Sequence, residues 1–420
     1  MNNNKKILVL GDIILDIWIK GNYNRRSPEA PVKILDEMLE FKNLGGAANV
    51  AANLKNLNNK VKLFGAIGND DNGEILINLL KKQNIKSKLD FNGGITTTKI
   101  RLIDNNNNHL LRIDKEKNYN GNFSLKNLKK EIKSKDIIIL CDYNKGVLKR
   151  NTIKQILNFN KNLFVDPKNN PENYKGSFLV KPNMKQFQKW AGKFSVKKSV
   201  NLIKKMKWHW LVVTDGKNGV HVINKYGETN HYMHKAKNVV DVSGAGDAFI
   251  SVLCHHYCSG MNVFESCNLA SIAATKSVER PMVYTLKIKD IYKDVIFTNG
   301  VFDILHKGHL ELLKYCSKLG KKLIIGLNSD KSVKKNKGPN RPYNNYEIRK
   351  KNLYKLGIVS KIIKFDSLTP ISLIKKIKPD IIVKGADYKN KNVVGKNISE
   401  VRIFSTIKGY STTNIINKTL

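Results

Sequence analysis

The stretch Asp241-Val242-Ser243-Gly244-Ala245-Gly246-Asp247-Ala248-Phe249 leads directly into an apolar segment that predicts a helix. Gly244 and Gly246 allow backbone N–H groups to point at an anion at the helix N-terminus, where the helix dipole also favours negative charge. A carboxylate at Asp247 could then take a proton from a hydroxyl while a phosphoryl group lies on those N–H groups. The alternative interpretation of this stretch is a structural one, a glycine-rich turn capped by an aspartate. The full Asp-x-x-Gly-x-Gly-Asp spacing favours phosphoryl transfer.

Outward from this stretch, short apolar runs alternate with helix-length amphipathic segments such as 49–57 and 310–319. This alternation predicts α/β domains with parallel sheets. Residues 91–114 are rich in Thr, Ile and Leu and predict a β-hairpin, which we expect to form a lid beside the main sheet. Helix signals stop near 281–290, so we place the domains at 1–288 and 289–420. The apolar runs that predict strands are 7–10, 61–64, 137–140, 163–165, 178–180, 211–213, 294–297, 323–327, 361–365, 381–383 and 401–404.

The chain has 420 residues and a net charge of +41, with 66 Lys among its 75 basic residues. The lysines are spread among Asn and Ile over both halves, a pattern that A/T-rich coding explains, so we expect small phosphorylated partners rather than nucleic acid. No apolar run is long enough for a membrane helix and no secretory signal is evident. The five cysteines are sparse, which predicts a cytoplasmic protein without disulfides.

The second half opens with Thr298-Asn299-Gly300-Val301-Phe302-Asp303-Ile304-Leu305-His306-Lys307-Gly308-His309. Two histidines three residues apart at a helix start can both donate hydrogen bonds to a polyphosphate during displacement of pyrophosphate. A zinc site would need further ligands, and no third ligand at a suitable spacing follows. We therefore predict no metal ligands here. Cys254-His255-His256-Tyr257-Cys258 also looks like a metal motif, but its place in the helix after Asp247 favours buried thiols.

The first 275 residues resemble the ribokinase-like sugar kinases. Thr214-x-Gly216-x-x-Gly219 is similar to that family's nucleotide loop, and the Asp of the Gly-Ala-Gly-Asp element, here Asp247, is its general base. The stretches 25–32, Cys141-Asp142-Tyr143-x-Lys145-Gly146 and Asp166-Pro167-Lys168 resemble its heptose 7-phosphate kinase branch. The resemblance implies ATP binding by Asn183, Thr214, Gly216, Gly219, Ser243, Gly244, Ala245 and Gly246. It implies sugar binding by Asp12, Asp16, Gly45, Gly46, Asn49, Asp142 and Lys168, with Lys99, Arg101 and Arg112 suited to a distal phosphate or, alternatively, merely solvated.

Two features depart from the pattern of these kinases. Their Asn-x-x-Glu motif, whose Glu helps to organise Mg²⁺, reads Asn183-Met184-Lys185-Gln186 here, and the glycine-rich segment expected after Ala274 is missing. Since a neutral Gln supplies no charge, we expect weaker metal affinity and a weakened kinase. Restoring Glu at position 186 should then increase turnover or Mg²⁺ affinity.

Residues 292–420 resemble the nucleotidyltransferases with a His-x-Gly-His signature. The segments Lys384-Gly385-x-Asp387-Tyr388 and Ser411-Thr412-Thr413-Asn414-Ile415-Ile416 narrow the resemblance to heptose 1-phosphate adenylyltransferase. It implies catalysis by His306 and His309. Nucleotide binding is implied for Asn299, Gly300, Phe302, Asp303, Gly308, Asn328, Asp330, Arg341, Lys384, Asp387, Ser411, Thr412 and Thr413.

Together the halves resemble the bifunctional heptose 7-phosphate kinase and heptose 1-phosphate adenylyltransferase family of bacterial ADP-heptose synthesis. The resemblance implies a ribokinase-like three-layer sandwich with a β lid, followed by a Rossmann-like domain. It also implies ATP and Mg²⁺ as cofactors, sugar phosphates as substrates, no membrane partner and a homodimer. Three alternatives stay open: an active adenylyltransferase with a decayed kinase, another sugar kinase fused to a different nucleotidyltransferase, and a basic nucleic-acid-binding protein.

Overall fold

Short apolar runs form the parallel strands of the main sheets in this computed structural model, which describes residues 5–91, 94–119, 129–388 and 391–404. The elements belong to two compact units, Met1–Ile288 and Lys289–Leu420. The strands of the first unit are β1 (Lys6–Gly11), β2 (Ile13–Arg26), β3 (Lys33–Gly46), β4 (Lys60–Ile67), β5 (Lys86–Phe91), β6 (Thr98–Asp104), β7 (His109–Lys115), β8 (Ile137–Cys141), β9 (Leu163–Asp166), β10 (Leu179–Val180), β11 (Trp210–Thr214), β12 (Val220–Asn224) and β13 (Thr229–Tyr232). Its helices are α1 (Ala47–Asn56), α2 (Asp71–Lys82), α3 (Lys129–Lys133), α4 (Arg150–Phe159), α5 (Met184–Ala191), α6 (Val196–Met206), α7 (Ala245–Cys258) and α8 (Val263–Ser277).

Within the described residues, the main sheet of the first unit has nine strands in the order β13-β12-β11-β10-β9-β8-β1-β4-β5. The strands from β11 to β5 pair in parallel, while β12 and β13 extend the sheet antiparallel. Parallel strands are covered on both faces, which explains why every residue of β8 is apolar and buried. Their carboxyl ends share one edge, so the residues that follow β1, β8, β9, β10 and β11 meet there.

A second, four-stranded sheet with the order β3-β2-β6-β7 forms the lid of this unit. The predicted hairpin is confirmed in β6 and β7, although it begins at Thr98 rather than at 91. The long pair β2 and β3 was not predicted as strands, because much of it is exposed and carries polar residues that interrupt the apolar pattern. The lid is therefore larger than the sequence indicates.

Helix α7 is buried along nearly its whole length because it is apolar on all sides. It packs against α1 and α8 and against strand β9. Cys254 and Cys258 are buried free thiols, as predicted, and no cluster of metal-ligating side chains is found among the described residues. The N-terminus of this rigid helix lies at the edge where the parallel strands end, since Gly246 and Asp247 share a cavity with residues from those strand ends.

The second unit is a parallel α/β domain. Its elements are β14 (Lys293–Gly300), α10 (Lys307–Leu319), β15 (Gly320–Asn328), α11 (Asp330–Lys337), α12 (Tyr346–Tyr354), β16 (Lys361–Phe365), α13 (Ile371–Ile377), β17 (Ile381–Gly385) and β18 (Glu400–Phe404), with the short α9 (Ile288–Ile291) at the junction. The strand order is β16-β15-β14-β17-β18, and all neighbours are parallel. The order reverses at β14, and ligands of such sheets bind at the carboxyl end of the strands at this point.

Candidate active sites

The strand ends of the first unit enclose a cavity of about 340 Å³. Its walls combine strand-end residues, lid residues and the N-terminus of α7, so groups predicted separately from the sequence lie together. The predicted residues that line it are Asp16, Gly46, Lys99, Arg101, Asp142, Lys168, Asn183, Thr214, Ser243, Gly244, Gly246 and Asp247. The cavity is lined by side chains of both charge signs, including Lys99, Arg101, Lys168 and Lys181, which suits a phosphorylated ligand.

Asp247 lies in the first turn of α7 and is buried. Its Oδ2 accepts a hydrogen bond of 2.8 Å from Asn49 Nδ2, and its Oδ1 accepts one from the Tyr143 hydroxyl. Burial raises the pKa of Asp247 to about 7, although these two hydrogen bonds act to lower it. A carboxyl with this pKa can accept a proton near neutral pH, which a general base requires.

A buried ion pair lies beside the start of α7. Lys181 Nζ is 3.0 Å from Asp166 Oδ1. Asp166 is the last residue of β9, and Lys181 is the first residue after β10, so both lie at strand ends. A Cβ built on Gly246 would lie 3.6 Å from Lys181 Nζ and 3.8 Å from Asp166 Oδ2. Gly244, the N-cap, has a φ of 77°, a left-handed conformation that favours glycine. The backbone N–H groups at the N-terminus of α7 and the ammonium group of Lys181 thus face the same small space.

A larger cavity of about 1030 Å³ adjoins the first, because Thr214 and Gly246 line both. The predicted nucleotide-loop residues Gly216 and Gly219 line it, as does Ala245. Its remaining walls are mainly apolar and include Met233, Val239, Val242, Phe249 and Ala274. An apolar cavity that meets an anion site is suited to a nucleotide, with the base against the apolar wall and the phosphates at α7.

The lid places its cations over the smaller cavity. Arg101 on β6 donates to Asp16 Oδ1 on β2, and Lys99 lines the cavity beside it. Arg112 lies opposite Arg101 on β7, but it is largely exposed and pairs with Asp114, so it does not line the cavity. Gly45 does not line the cavity, and a Cβ at this position would meet Asp16 Oδ2 at 2.1 Å, so the close packing of Asp16 requires a glycine there.

Two predicted sugar-binding residues have other partners in this structure. Asp12 is buried and does not line the cavity, because its carboxylate accepts backbone N–H groups of Tyr143, Lys145 and Val147 at 2.8, 3.0 and 3.3 Å. Burial raises the pKa of Asp12 to about 6. Asn49 is absent from the cavity wall and holds Asp247 instead. Both residues therefore hold groups that line the cavity: Asp12 fixes the loop after β8, and Asn49 contacts the Asp247 carboxylate.

Gln186 forms a capping box with Asn183 at the start of α5. Gln186 Oε1 accepts from Asn183 N at 2.8 Å, and Asn183 Oδ1 accepts from Gln186 N at 2.9 Å. In addition, Gln186 Nε2 donates to the Pro167 carbonyl at 2.8 Å. This last bond needs a donor, which a glutamate side chain does not offer when ionised. The amide thus ties the helix to the 166–168 loop.

In the second unit, His306 is the N-cap of α10, and its Nδ1 accepts from His309 N at 3.4 Å. Because Nδ1 is the acceptor, a neutral His306 carries its proton on Nε2. The two rings stack with their centroids 3.8 Å apart. Burial and the neighbouring His306 lower the pKa of His309 to about 4, and burial also lowers the pKa of His306. Both rings are thus neutral at pH 7, and each keeps one N–H donor.

Other predicted residues of this unit surround the end of β14. Lys384 Nζ donates to Asn299 Oδ1 at 2.6 Å, and burial lowers the pKa of Lys384 to about 8. Asp303 accepts from Arg341 Nη1 at 3.2 Å and from the backbone N–H groups of Tyr343 and Asn344, each at 2.9 Å. Gly300, Phe302 and Gly308 lie on the same strand-to-helix connection, and Asp387 lies in the turn after β17. Ser411, Thr412 and Thr413 lie outside the described residues.

Arg349 is a structural residue of this site that the sequence analysis did not identify. Its side chain is completely buried in α12. The guanidinium donates to the carbonyls of Val301, Asn344 and Asn328 at 2.6, 2.9 and 2.8 Å, and to Asp330 Oδ1 at 2.7 Å. It therefore joins the three loops that carry Asp303, Asp330 and Arg341. No motif marks it, because its acceptors are mostly backbone atoms.

Comparison with known proteins supports this division of the chain. Residues 4–289 match the pfkB family carbohydrate kinases and residues 297–419 the cytidylyltransferase-like family. The bifunctional protein HldE of Haemophilus influenzae (strain PittEE) is 37% identical over 98% of this chain and 96% of its own length. The HldE of Campylobacter fetus subsp. fetus is 34% identical over 98% and 99%. This chain belongs to the bifunctional HldE family.

Solved structures show the fold of the kinase unit of this HldE family member. The ribokinase of Thermotoga maritima superposes with a TM-score of 0.57 at 21% identity, covering 68% of this chain and 97% of that one. The ribokinase of Giardia lamblia gives 0.56 at 17% identity, covering 68% and 98%. The predicted ribokinase-like fold and the predicted family are both confirmed. Within the described parts of this HldE chain, no helix is sufficiently long and apolar to cross a bilayer.

Proposed function

We propose that this protein catalyses two steps of ADP-heptose synthesis, the bifunctional heptose kinase and adenylyltransferase activity of its family. In the first, ATP phosphorylates D-glycero-β-D-manno-heptose 7-phosphate at O1, giving the 1,7-bisphosphate and ADP. In the second, heptose 1-phosphate reacts with ATP to give ADP-heptose and pyrophosphate. The observation that carries the first step is Asp247, a base with a pKa of about 7, where the sugar-side and nucleotide-side cavities meet.

In the kinase step, the sugar O1 hydroxyl lies at Asp247, which accepts its proton. The oxygen then forms a bond to the γ-phosphorus as the bond to the ADP oxygen breaks. Negative charge on the moving phosphoryl group is stabilised by the N–H groups at the start of α7 and by the Lys181 ammonium. On the lid side of the cavity, Lys99 and Arg101 attract the 7-phosphate.

We propose that Mg²⁺ enters with ATP. Magnesium is commonly held by substrate phosphates, water and only one or two carboxylates. Asp166 fits this need, since its carboxylate lines the cavity beside Gly246. The bound cation would neutralise phosphate charge. Gln186 lines the same cavity but is uncharged. The metal affinity is therefore set by the carboxylates that line this cavity.

In the transferase step, an oxygen of the sugar 1-phosphate attacks the α-phosphorus of ATP and pyrophosphate leaves. The neutral His306 and His309 donate hydrogen bonds to the charge that develops on the α-phosphate. Lys384, at the end of β17, adds a positive charge while it is protonated. The helix N-terminus of α10 acts in the same direction.

The deciding experiment uses the full-length chain and two variants, Asp247→Asn and His309→Asn. With MgATP and heptose 7-phosphate, phosphorus NMR should show a new anomeric phosphate for the parent and for His309→Asn, but none for Asp247→Asn. With heptose 1-phosphate and ATP, the parent and Asp247→Asn should form ADP-heptose, while His309→Asn should be slower by about 10²–10³-fold. ADP-heptose formation without any anomeric phosphate from the parent would leave the adenylyltransferase as the only activity.

We also propose a homodimer formed through the lid. Lys99 and Arg101 face the cavity, so the alternate residues of β6, Ile100 and Leu102, lie on the opposite face. Opposite them on β7 are Ile113 and Leu111, which are 41% and 55% exposed. An apolar face of this kind is suited to a second copy. We place the protein in the cytoplasm, where ATP is available and its five free thiols stay reduced.

A further inference from the structure

The general base of the kinase unit has a hydrogen-bond donor on each oxygen. Asn49 Nδ2 occupies Oδ2, and the Tyr143 hydroxyl occupies Oδ1. The Asn49 amide comes from α1, whereas the phenol comes from the loop after β8. The Tyr143 phenol has a single O–H group, and that group donates to Asp247.

The tyrosine is itself held in place. Its backbone N–H donates to Asp12 Oδ2 at 2.8 Å, and the same carboxylate accepts from Lys145 and Val147. Its ring also lines the sugar cavity, with Lys99 Nζ 5.9 Å from the ring centroid. Tyr143 therefore contacts the base on one side and the sugar-binding space on the other.

Charged groups near Asp247 shift its pKa in both directions, so the hydrogen bond from the Tyr143 hydroxyl is important for its ionisation. Asp166 raises the pKa of Asp247 and Lys181 lowers it, while the Cys141 thiol lies nearby with a raised pKa of its own because it is buried. Burial and the Asp247 carboxylate raise the pKa of Tyr143 well above its usual value, so the phenol keeps its proton at neutral pH. A donor that stays protonated favours the ionised form of the carboxylate it contacts.

We propose that Tyr143 is a positioning residue that holds Asp247 ionised and oriented to receive the proton of the sugar hydroxyl. This inference rests on the proposed kinase function of the first unit. In the step itself the sugar proton moves to the Asp247 carboxylate, and the sugar oxygen bonds to the γ-phosphorus of ATP as the bond from that phosphorus to the ADP oxygen breaks and ADP leaves. Tyr143 keeps its own proton throughout.

The test compares pH profiles of kinase kcat/KM for the parent, Tyr143→Phe and Tyr119→Phe in the full-length chain. Activity falls as pH falls through the pKa of Asp247, because the protonated carboxyl cannot act as a base. Removal of the phenol raises that pKa, so the acidic limb should move to higher pH by about 1–2 units in Tyr143→Phe. Tyr119→Phe is the matched control, since this phenol donates to Asp90 at 2.6 Å instead. Its limb should stay with that of the parent.

An acidic limb that does not move in Tyr143→Phe, with kcat/KM lowered equally at all pH values, would overturn the inference and leave a structural role. A second measurement does not depend on turnover. The carboxyl carbon-13 titration of Asp247, assigned by its loss in Asp247→Asn, should shift upward in Tyr143→Phe, and an unchanged titration would also overturn the inference. Failure of the kinase function is distinguishable, since the parent would then form no anomeric phosphate while the carbon titration still reports on Tyr143. Urea unfolding with the transition of the parent shows that the first unit of each variant is folded, since adenylyl transfer reports only on the second unit.

Discussion

Asp12 and Asp247 are both buried aspartates of the kinase unit, yet their hydrogen-bond partners give them different tasks. Asp12 accepts three backbone N–H groups and fixes the loop after β8. Asp247 accepts only side-chain donors and lines the cavity. The motif around each residue is visible in the sequence, but the hydrogen-bond partners of Asp12 are more than 130 positions away. Only the fold therefore distinguishes the structural role of Asp12 from the catalytic role proposed for Asp247.

At Gln186 the structure modifies the expectation drawn from the sequence. A glutamate at this position would bring a negative charge to the cavity wall, which favours Mg²⁺, but it would also lose the bond to the Pro167 carbonyl. For Gln186→Glu we expect half-maximal kinase activity at a lower Mg²⁺ concentration, together with a loss of stability of about 1–3 kcal/mol from the unmatched carbonyl. Magnesium titrations of activity and urea unfolding measure the two effects separately.

Gln186→Met is the matched variant for that experiment, because it removes the amide without adding charge. It should lose stability without gaining Mg²⁺ affinity. Equal Mg²⁺ dependence in the glutamate variant and the parent would show that residue 186 does not limit metal binding.

At the scale of elements, strands were predicted best where they are buried on both faces. The apolar runs 137–140 and 163–165 appear as β8 and β9 with nearly the same limits. The lid pair β2 and β3 was not predicted because polar residues interrupt the apolar runs of β2 and because β3 is largely exposed. Helix α12 also gave little signal, since it is short and its main anchor is a charged residue.

That anchor, Arg349, supports a prediction about the transferase loops. Replacement by Met leaves Asp330 and three backbone carbonyls without their buried donor, which should cost about 3–5 kcal/mol. We expect Arg349→Met to raise the KM for ATP in adenylyl transfer and to lower hydrogen-exchange protection in the second unit. Kinase activity serves as the internal control and should be unchanged. Normal adenylyl transfer by this variant would contradict the role assigned to the buried guanidinium.

At the scale of the whole molecule, the chain is two α/β units whose sites both lie where parallel strands end and a helix begins. The sequence motifs reveal these two sites because each depends on a local strand–turn–helix segment. The lid cations Lys99, Arg101 and Arg112 were predicted together from the sequence. Which of them line the cavity depends on strand pairing between distant segments, so only the fold separates Lys99 and Arg101 from Arg112.

The proposed dimer is tested by placing a charge on the outer face of the lid. Leu111→Glu introduces a carboxylate into a surface that a second copy would bury, so the variant should be monomeric at concentrations where the parent is dimeric. Light scattering coupled to size-exclusion chromatography measures the mass. Leu368→Glu, at a residue of the second unit that is 69% exposed, is the control and should keep the mass of the parent. A monomeric parent would refute the dimer.

The sharing of Thr214 and Gly246 between two cavities has a practical consequence for inhibitor design. The two compartments meet at these residues beside the N-terminus of α7, so a single molecule with a bridge of suitable length could reach both. A heptose 7-phosphate joined through O1 to an adenosine oligophosphate would hold each half near its own compartment and gain from the high effective concentration of the second half. The phosphate-bridge length that gives the tightest binding would measure the distance that the transferred phosphoryl group crosses.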